Sequence, residues 1–134
     1  MRKVSILITV CMLAAVVLVA QQRELDPVMK EVGPTNQALQ TAIGGNVLAD
    51  AATNAAKLET LFKEAEAFMK SKNKADAVKM AADAAMAAGD AAKAAKAGDL
   101  DAAKAAAMKV KGACKGCHDN YREKDGAGWK MKSN

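Results

Sequence analysis

Aromatic residues are nearly missing from this sequence, which has one tryptophan, one tyrosine and two phenylalanines among 134 residues. Proteins that bind nucleic acid commonly combine aromatic stacking side chains with arginine-rich or lysine-rich stretches. No arginine-rich run is present here. The formal net charge is only +5, and two of the basic residues, Arg2 and Lys3, lie in an apolar leader. We therefore expect no nucleic-acid partner.

Histidine and cysteine are also scarce, with one histidine and three cysteines in the whole sequence. A structural zinc site uses four ligands, mostly cysteine and histidine. A thioredoxin-like dithiol is expected in a strand–helix–strand context, and no such pattern is visible. Cys11 lies in the leader, so the mature chain keeps Cys114 and Cys117. Neither a zinc site nor a dithiol centre is predicted from these residues.

The sequence does contain the stretch Cys114-Lys115-Gly116-Cys117-His118. Its C-x-x-C-H pattern is typical of covalent attachment of a c-type haem, and a chance occurrence in an exported protein is the alternative. Two thiols add across the two vinyl groups of the porphyrin, and the histidine places an imidazole nitrogen beneath the iron. On a helix, residues three and four apart share one face, so all three groups can reach one flat cofactor. Both mature cysteines are then used, and no disulfide is predicted.

Alanine supplies much of the hydrophobic share of 51%. It is the best helix former, but each alanine buries little apolar area. A large flat apolar cofactor would compensate for such a weak core. The alternative is an alanine-rich helical protein that is stabilised in another way, for example by dimerisation.

Residues 1–20 resemble a secretory signal, with a basic start followed by an apolar run. The run falls just short of a comfortable membrane span. Cleavage is expected after Ala20, and an uncleaved N-terminal anchor is the alternative. Export to the periplasm fits the motif, because covalent haem attachment takes place outside the bacterial cytoplasm. We expect no stable membrane insertion after cleavage.

The first predicted helix begins at Asp26-Pro27, because aspartate is a favoured N-cap and proline a favoured first residue. Gly33-Pro34 is expected to kink or restart it, since proline removes a hydrogen bond. Gly44-Gly45 is expected to end it. Its apolar stripe at helical spacing consists of Leu25, Met29, Val32, Leu39 and Ile43.

Three further helices are predicted over about 46–71, about 74–97, and from a cap at Asp99 onwards. In the last helix, apolar residues spaced by three and four include Cys114 and Cys117, so the haem is expected inside the bundle. Short connections favour antiparallel neighbours. The sequence therefore predicts an all-α, up-down-up-down four-helix bundle with one covalently bound haem over residues 21–124. A flexible tail is expected over residues 125–134.

This layout resembles the class II c-type cytochromes, the group of cytochrome c-prime and its low-spin, methionine-ligated relatives. The family pattern continues past the histidine with two residues, an aromatic and an arginine, here Tyr121-Arg122. The resemblance implies that Cys114 and Cys117 carry the thioethers and that His118 is the proximal iron ligand. It also implies a place for Arg122 near the haem, although a solvated charge at the helix end would explain this residue equally well.

The resemblance also identifies Met29 as a candidate sixth ligand of the iron. Members with a methionine early in the first helix are low-spin electron carriers, and thioether ligation opposite histidine raises the reduction potential. Members with a non-ligating residue there bind gases such as nitric oxide or carbon monoxide at an open site. A methionine on an apolar stripe is otherwise core filler.

We expect a periplasmic electron-transfer protein rather than an enzyme, with haem c and its iron as cofactor. Redox partner proteins are the expected partners. Four basic residues are expected near the haem edge and would steer an acidic partner, or they would only keep the surface soluble: Lys111, Lys115, Arg122 and Lys124. The alanine-rich outer faces of the first two helices would permit a homodimer.

Overall fold

Three short connections make the helices of the described chain run antiparallel. The computed structural model describes residues 23–132. Within them the helices are α1 (Leu25–Gly44), α2 (Leu48–Ser71), α3 (Ala75–Lys96) and α4 (Leu100–Tyr121). Because α2 packs against α1 and α3, and α4 packs against α3, the predicted up-down-up-down four-helix bundle is confirmed. The predicted leader over residues 1–20, with its Cys11, lies outside the described residues.

The three connections share one turn, with a residue of positive φ at the middle position. These residues are Asn46, Asn73 and Gly98, with φ angles of 57°, 55° and 78°. Asparagine and glycine tolerate this left-handed conformation better than other residues. After each of them, the next backbone N–H donates to a carbonyl five residues back, as Asp99 does to Ala94 at 2.9 Å. This bond satisfies a carbonyl at the helix end. The helices α1, α2 and α3 therefore end in the same hydrogen-bonded turn.

The beginning of α4 confirms one predicted cap, whereas the beginning of α1 does not. Asp99 accepts a hydrogen bond from the Ala102 backbone N–H at 2.9 Å. The predicted cap at Asp26 is wrong, because α1 begins at Leu25 and has no side-chain cap. Asp26 lies in the first turn and pairs with Lys30 at 2.7 Å, a position where a negative charge opposes the helix dipole favourably.

The predicted restart of α1 at Gly33-Pro34 is also wrong, because the helix continues through Pro34 without a break, whereas the alternative of a kink stays a prediction. Pro34 is exposed, and so is Lys30, whose carbonyl would have accepted the missing hydrogen bond. Water can therefore satisfy that carbonyl. On the opposite face, Val28 and Leu39 are fully buried, and this burial stabilises the helix on both sides of the proline.

The core is built mostly from alanine, as the composition suggests. One main cluster of buried residues joins all four helices. A second, smaller cluster lies where α2 ends and α3 begins, and consists of Phe68, Met69 and Ala77. We call this the motif end of the bundle, because α1 begins there and α4 ends there with the C-x-x-C-H motif.

The residues after α4 form a β-hairpin over residues 122–131, so the predicted flexible tail over 125–134 is wrong for residues 125–131. Residues 133 and 134 lie outside the described residues. Strand β1 (Arg122–Asp125) pairs antiparallel with β2 (Gly128–Met131). Gly126, with a φ of 60°, supplies the left-handed residue of the tight turn. The predicted boundary at residue 124 therefore falls inside β1. Met131 packs against the second cluster. This is a tertiary contact, so the local sequence pattern does not predict it.

Candidate functional site

The last two turns of α4 place the motif side chains on one face. Cys114, Cys117 and His118 are all half-buried. Cys114 packs against the main core cluster, together with its neighbour Ala113. The motif therefore lies at the edge of the interior rather than on a surface loop. The backbone N–H of Arg122 donates to the His118 carbonyl and closes the helix directly after the motif.

The same half-burial sets the protonation states of these three groups. Burial, and then the neighbouring Cys117, raise the pKa of the Cys114 thiol to about 11. Burial also raises the pKa of Cys117. Burial, and then the positive charge of Arg122, lower the pKa of His118. At neutral pH the site therefore holds two protonated thiols and a neutral imidazole, and the neutral imidazole is the form that binds a metal.

Met29 lies at the same end of the bundle as the motif. It is half-buried near the start of α1, and it packs against the same main cluster as Cys114. Since α1 begins where α4 ends, the antiparallel topology brings Met29 and His118 to one end. Direct contacts between α1 and α4 are nevertheless few, because α1 packs mainly on α2 and α4 mainly on α3.

The other methionines of the four helices are less well placed. Met86 and Met108 are 63% and 72% exposed, so they point away from the core. Met69 is buried in the second cluster, against Tyr121. Met80 lines an open cleft of about 480 Å³ between the start of α3 and the end of α4. That cleft also carries Asp76, Lys79 and Asp83, and such a charged lining suits a porphyrin ring poorly.

Asn36 carries an unpaired buried polar group on α1, the helix of Met29, that the sequence does not single out. Its side-chain oxygen is buried and has no hydrogen-bond partner within the described part of the chain. An unpaired buried polar group costs about 1–3 kcal/mol, so a partner is expected from outside this set of residues. Asn36 lies two turns after Met29, on the same side of α1. The sequence does contain a sign of this residue, because Asn36 is the one polar residue at a position where the apolar stripe of α1 would continue.

Arg122 lies at the start of β1, beyond the helix in which it was expected. Its guanidinium carbon is 3.9 Å from the centre of the Trp129 ring. It remains close enough to His118 for its charge to affect the pKa of that imidazole. Tyr121 packs against the second cluster, as a packing residue would.

These residues fit a covalently attached haem. Two protonated thiols and a neutral imidazole share one half-buried face, a thioether lies at the same end, and a buried amide oxygen lacks a partner. Residues 19–122 match the family model described as Cytochrome C'. The chain belongs to this family, the cytochrome c-prime family. Comparisons with curated proteins and with solved structures find no match.

Membership of the cytochrome c-prime family implies a covalently bound haem c with its iron. The matched range covers the bundle and ends at Arg122. The hairpin beyond its first residue therefore lies outside the matched range. Among residues 23–132, no helix has the length and apolar character needed to cross a bilayer.

Proposed function

We propose that this cytochrome carries single electrons through one haem held by Cys114, Cys117 and His118. The observation that carries the proposal is the half-buried face of α4, on which the three motif side chains lie together beside the main core. When bound, the haem supplies an iron that accepts and releases one electron. No catalytic step on a substrate is part of this role, so we propose that the protein is not an enzyme.

The chain's own residues orient and shield that cofactor. Cys114 and Cys117 would hold the haem through thioether bonds, each equivalent to adding the S–H group across a vinyl double bond, so no group would be released. His118 supplies a neutral imidazole from the last turn of α4, where burial disfavours its protonated form. The alanine-rich core allows the helices to approach closely, and the half-buried position of the motif limits the access of water to one side.

We propose Met29 as the sixth ligand of the iron. Its support is its place at the motif end and its packing against the same core as Cys114. Thioether ligation opposite histidine raises the reduction potential and suits electron transfer. We further propose that residues 1–20 direct export and that the protein works in the periplasm, where the family's haem is attached.

The alternative function is binding of nitric oxide or carbon monoxide at an open sixth position. Its support is that Met29 contacts the core as an ordinary apolar residue would. Under this alternative, Met29 only fills space and the iron stays five-coordinate. The ligation state of the iron therefore separates the two functions.

Absorption spectra of the haem-loaded protein in both oxidation states test this proposal. For a Met29 ligand, the oxidised protein is low-spin with a weak far-red band from sulfur to iron, and Met29→Ala abolishes the band. Met108→Ala is the matched control, because Met108 is 72% exposed, and it leaves the band unchanged. A high-spin wild type that takes up carbon monoxide when reduced would favour the gas-binding function. A protein that attaches no haem would refute both.

A further inference from the structure

The C-terminal hairpin displays the chain's only tryptophan at the surface, next to the motif. Trp129 is 51% exposed, whereas Met131 on the same strand packs inward. In the strand register, Trp129 lies directly opposite Lys124. The Lys124 ammonium is 5.7 Å from the ring centre, and the Arg122 guanidinium is 3.9 Å from it. These cation–π contacts hold the ring in a defined orientation at the surface.

The chain segment that contains the motif and the hairpin carries excess positive charge. Residues 109–132 include seven basic and three acidic residues. All three acidic side chains are paired with lysines of the same segment: Asp119 with Lys115, and Glu123 and Asp125 with Lys130. In contrast, Arg122 and Lys124 form no ion pair within residues 23–132. Their charges are therefore not neutralised by any carboxylate of these residues, although both also contact the Trp129 ring.

The hairpin is fixed to the helix turn that carries His118. The Lys132 backbone N–H donates to the Tyr121 carbonyl at 2.9 Å. The Lys132 ammonium donates to the Asp119 carbonyl at the same distance. The hairpin therefore cannot move freely with respect to the motif, and a partner bound to it would be held close to the haem.

We propose that the hairpin is the docking surface for an acidic protein that exchanges electrons with this cytochrome. Trp129 is the anchor, and Arg122 and Lys124 are the charges that meet the partner's carboxylates. Tryptophan and arginine are enriched among the residues that contribute most to binding, and complementary charge speeds association. The electron exchange rests on the electron-carrier function proposed above, whereas the docking itself does not.

A membrane surface is the other class of partner that attracts tryptophan and lysine. The hairpin offers little apolar area beside the single ring, since the register and the alternation of side chains place Arg122, Lys124 and Met131 on the same face as Trp129, and only Met131 among them is apolar. Stable attachment to a bilayer needs a larger apolar face. The structure therefore favours a protein partner.

The indole N–H of Trp129 gives a direct test of docking, because a single tryptophan yields a single indole signal in a ¹⁵N spectrum. The haem-loaded, reduced protein is titrated with oxidised flavodoxin, a carboxylate-rich electron-transfer protein, at low ionic strength. The indole signal shifts as flavodoxin is added and returns when salt screens the charges. A signal that responds to anionic lipid vesicles and not to flavodoxin would overturn the proposal in favour of a membrane.

Stopped-flow reduction of the ferric protein by reduced flavodoxin gives the second test. Lys124→Glu lowers the second-order rate constant about fivefold at low ionic strength. The reason is that this one side chain changes from positive to negative beside the acidic partner. Trp129→Ala, which keeps all charges, also lowers it by removing the anchor. Lys104→Glu is the matched control: this exposed lysine lies near the start of α4, about 20 Å from His118 along the helix, and its charge reversal changes the rate less than twofold.

The failures of the two proposals are distinguishable. Equal rates for wild type, Lys124→Glu and Trp129→Ala, with electron transfer intact, would overturn the docking surface alone. A wild type whose indole signal shifts but whose haem accepts no electron would contradict the electron-carrier function and leave the docking surface supported.

Discussion

The Cys114 thiol of the haem-free chain is expected to be unusually unreactive. Only the thiolate is alkylated, and burial together with Cys117 raises the pKa of Cys114 from its ordinary 9.0 to about 11. At pH 8 about one thiol in a thousand is then ionised, compared with about one in ten for an ordinary thiol. Alkylation of Cys114 by iodoacetamide is therefore expected to be about 100-fold slower than in the denatured chain.

The assay uses the haem-free chain with both motif cysteines in place and follows alkylation from pH 7 to pH 11. Tryptic cleavage after Lys115 separates Cys114 from Cys117, so the mass increase of each peptide is measured separately. The rate is expected to rise about tenfold per pH unit until close to the raised pKa. The same chain in guanidinium chloride is the control, with circular dichroism showing whether the helices form without haem. Similar rates for the folded and denatured chains at pH 8 would refute the reasoning.

The raised pKa of Cys114 also predicts a pH dependence of stability. A pKa that is higher in the folded chain means that folding favours the protonated thiol. The stabilisation is complete below pH 9 and is lost as pH rises from 9 to about 11. In a Cys114→Ser variant this part of the dependence should disappear, which urea titrations of both chains across that range would measure. An unchanged dependence would contradict the assignment to Cys114.

Three further substitutions test the packing by urea unfolding. Leu58→Ala, at a fully buried position, should cost about 3 kcal/mol, and a loss below 1 kcal/mol would contradict the importance of the few large core residues. Gly89→Ala should stabilise the folded chain by roughly 0.5 kcal/mol, because alanine has the higher helix propensity. The added methyl would lie 3.0 Å from the Glu59 carboxylate, which can move because the side chain is flexible. A loss of stability would show that this carboxylate cannot move. Asn36→Leu should stabilise the haem-free chain by about 1 kcal/mol, because it removes an unpaired buried oxygen. The gain should be smaller in the haem-loaded chain if haem binding gives that oxygen a hydrogen-bond partner. Equal gains in stability would mean that haem supplies no such partner.

The features that sequence predicted correctly are those with local causes. Helix periodicity gave the four helices, and all their ends except that of α4 to within about two residues, because the spacing of apolar residues depends only on the 3.6-residue repeat. Asp99 was predicted as a cap because its side chain bonds to a backbone group three residues away. The C-x-x-C-H motif needed no tertiary information, since its three groups lie within two turns of one helix.

The errors occurred where packing competes with local preference. Pro34 is a poor helix residue by itself, yet it is tolerated because it is exposed and because Val28 and Leu39 are buried on the other face. The hairpin was missed because its strands are short and charged, and its position depends on Met131 reaching the second cluster. Asn36 was not predicted because the sequence does not show whether a polar side chain on an apolar stripe is buried or turned to solvent. The structure shows that its oxygen is buried.

The sequence by itself determined the chemistry of this protein: an alanine-rich helical chain with two thiols and one imidazole in the order that attaches a haem. These properties are local, so spacing and residue type are sufficient. Only the tertiary structure decided which groups surround that motif. It brought Met29 to the same end from about 90 residues away in sequence and placed the hairpin beside it, because contacts between distant residues depend on how the helices pack.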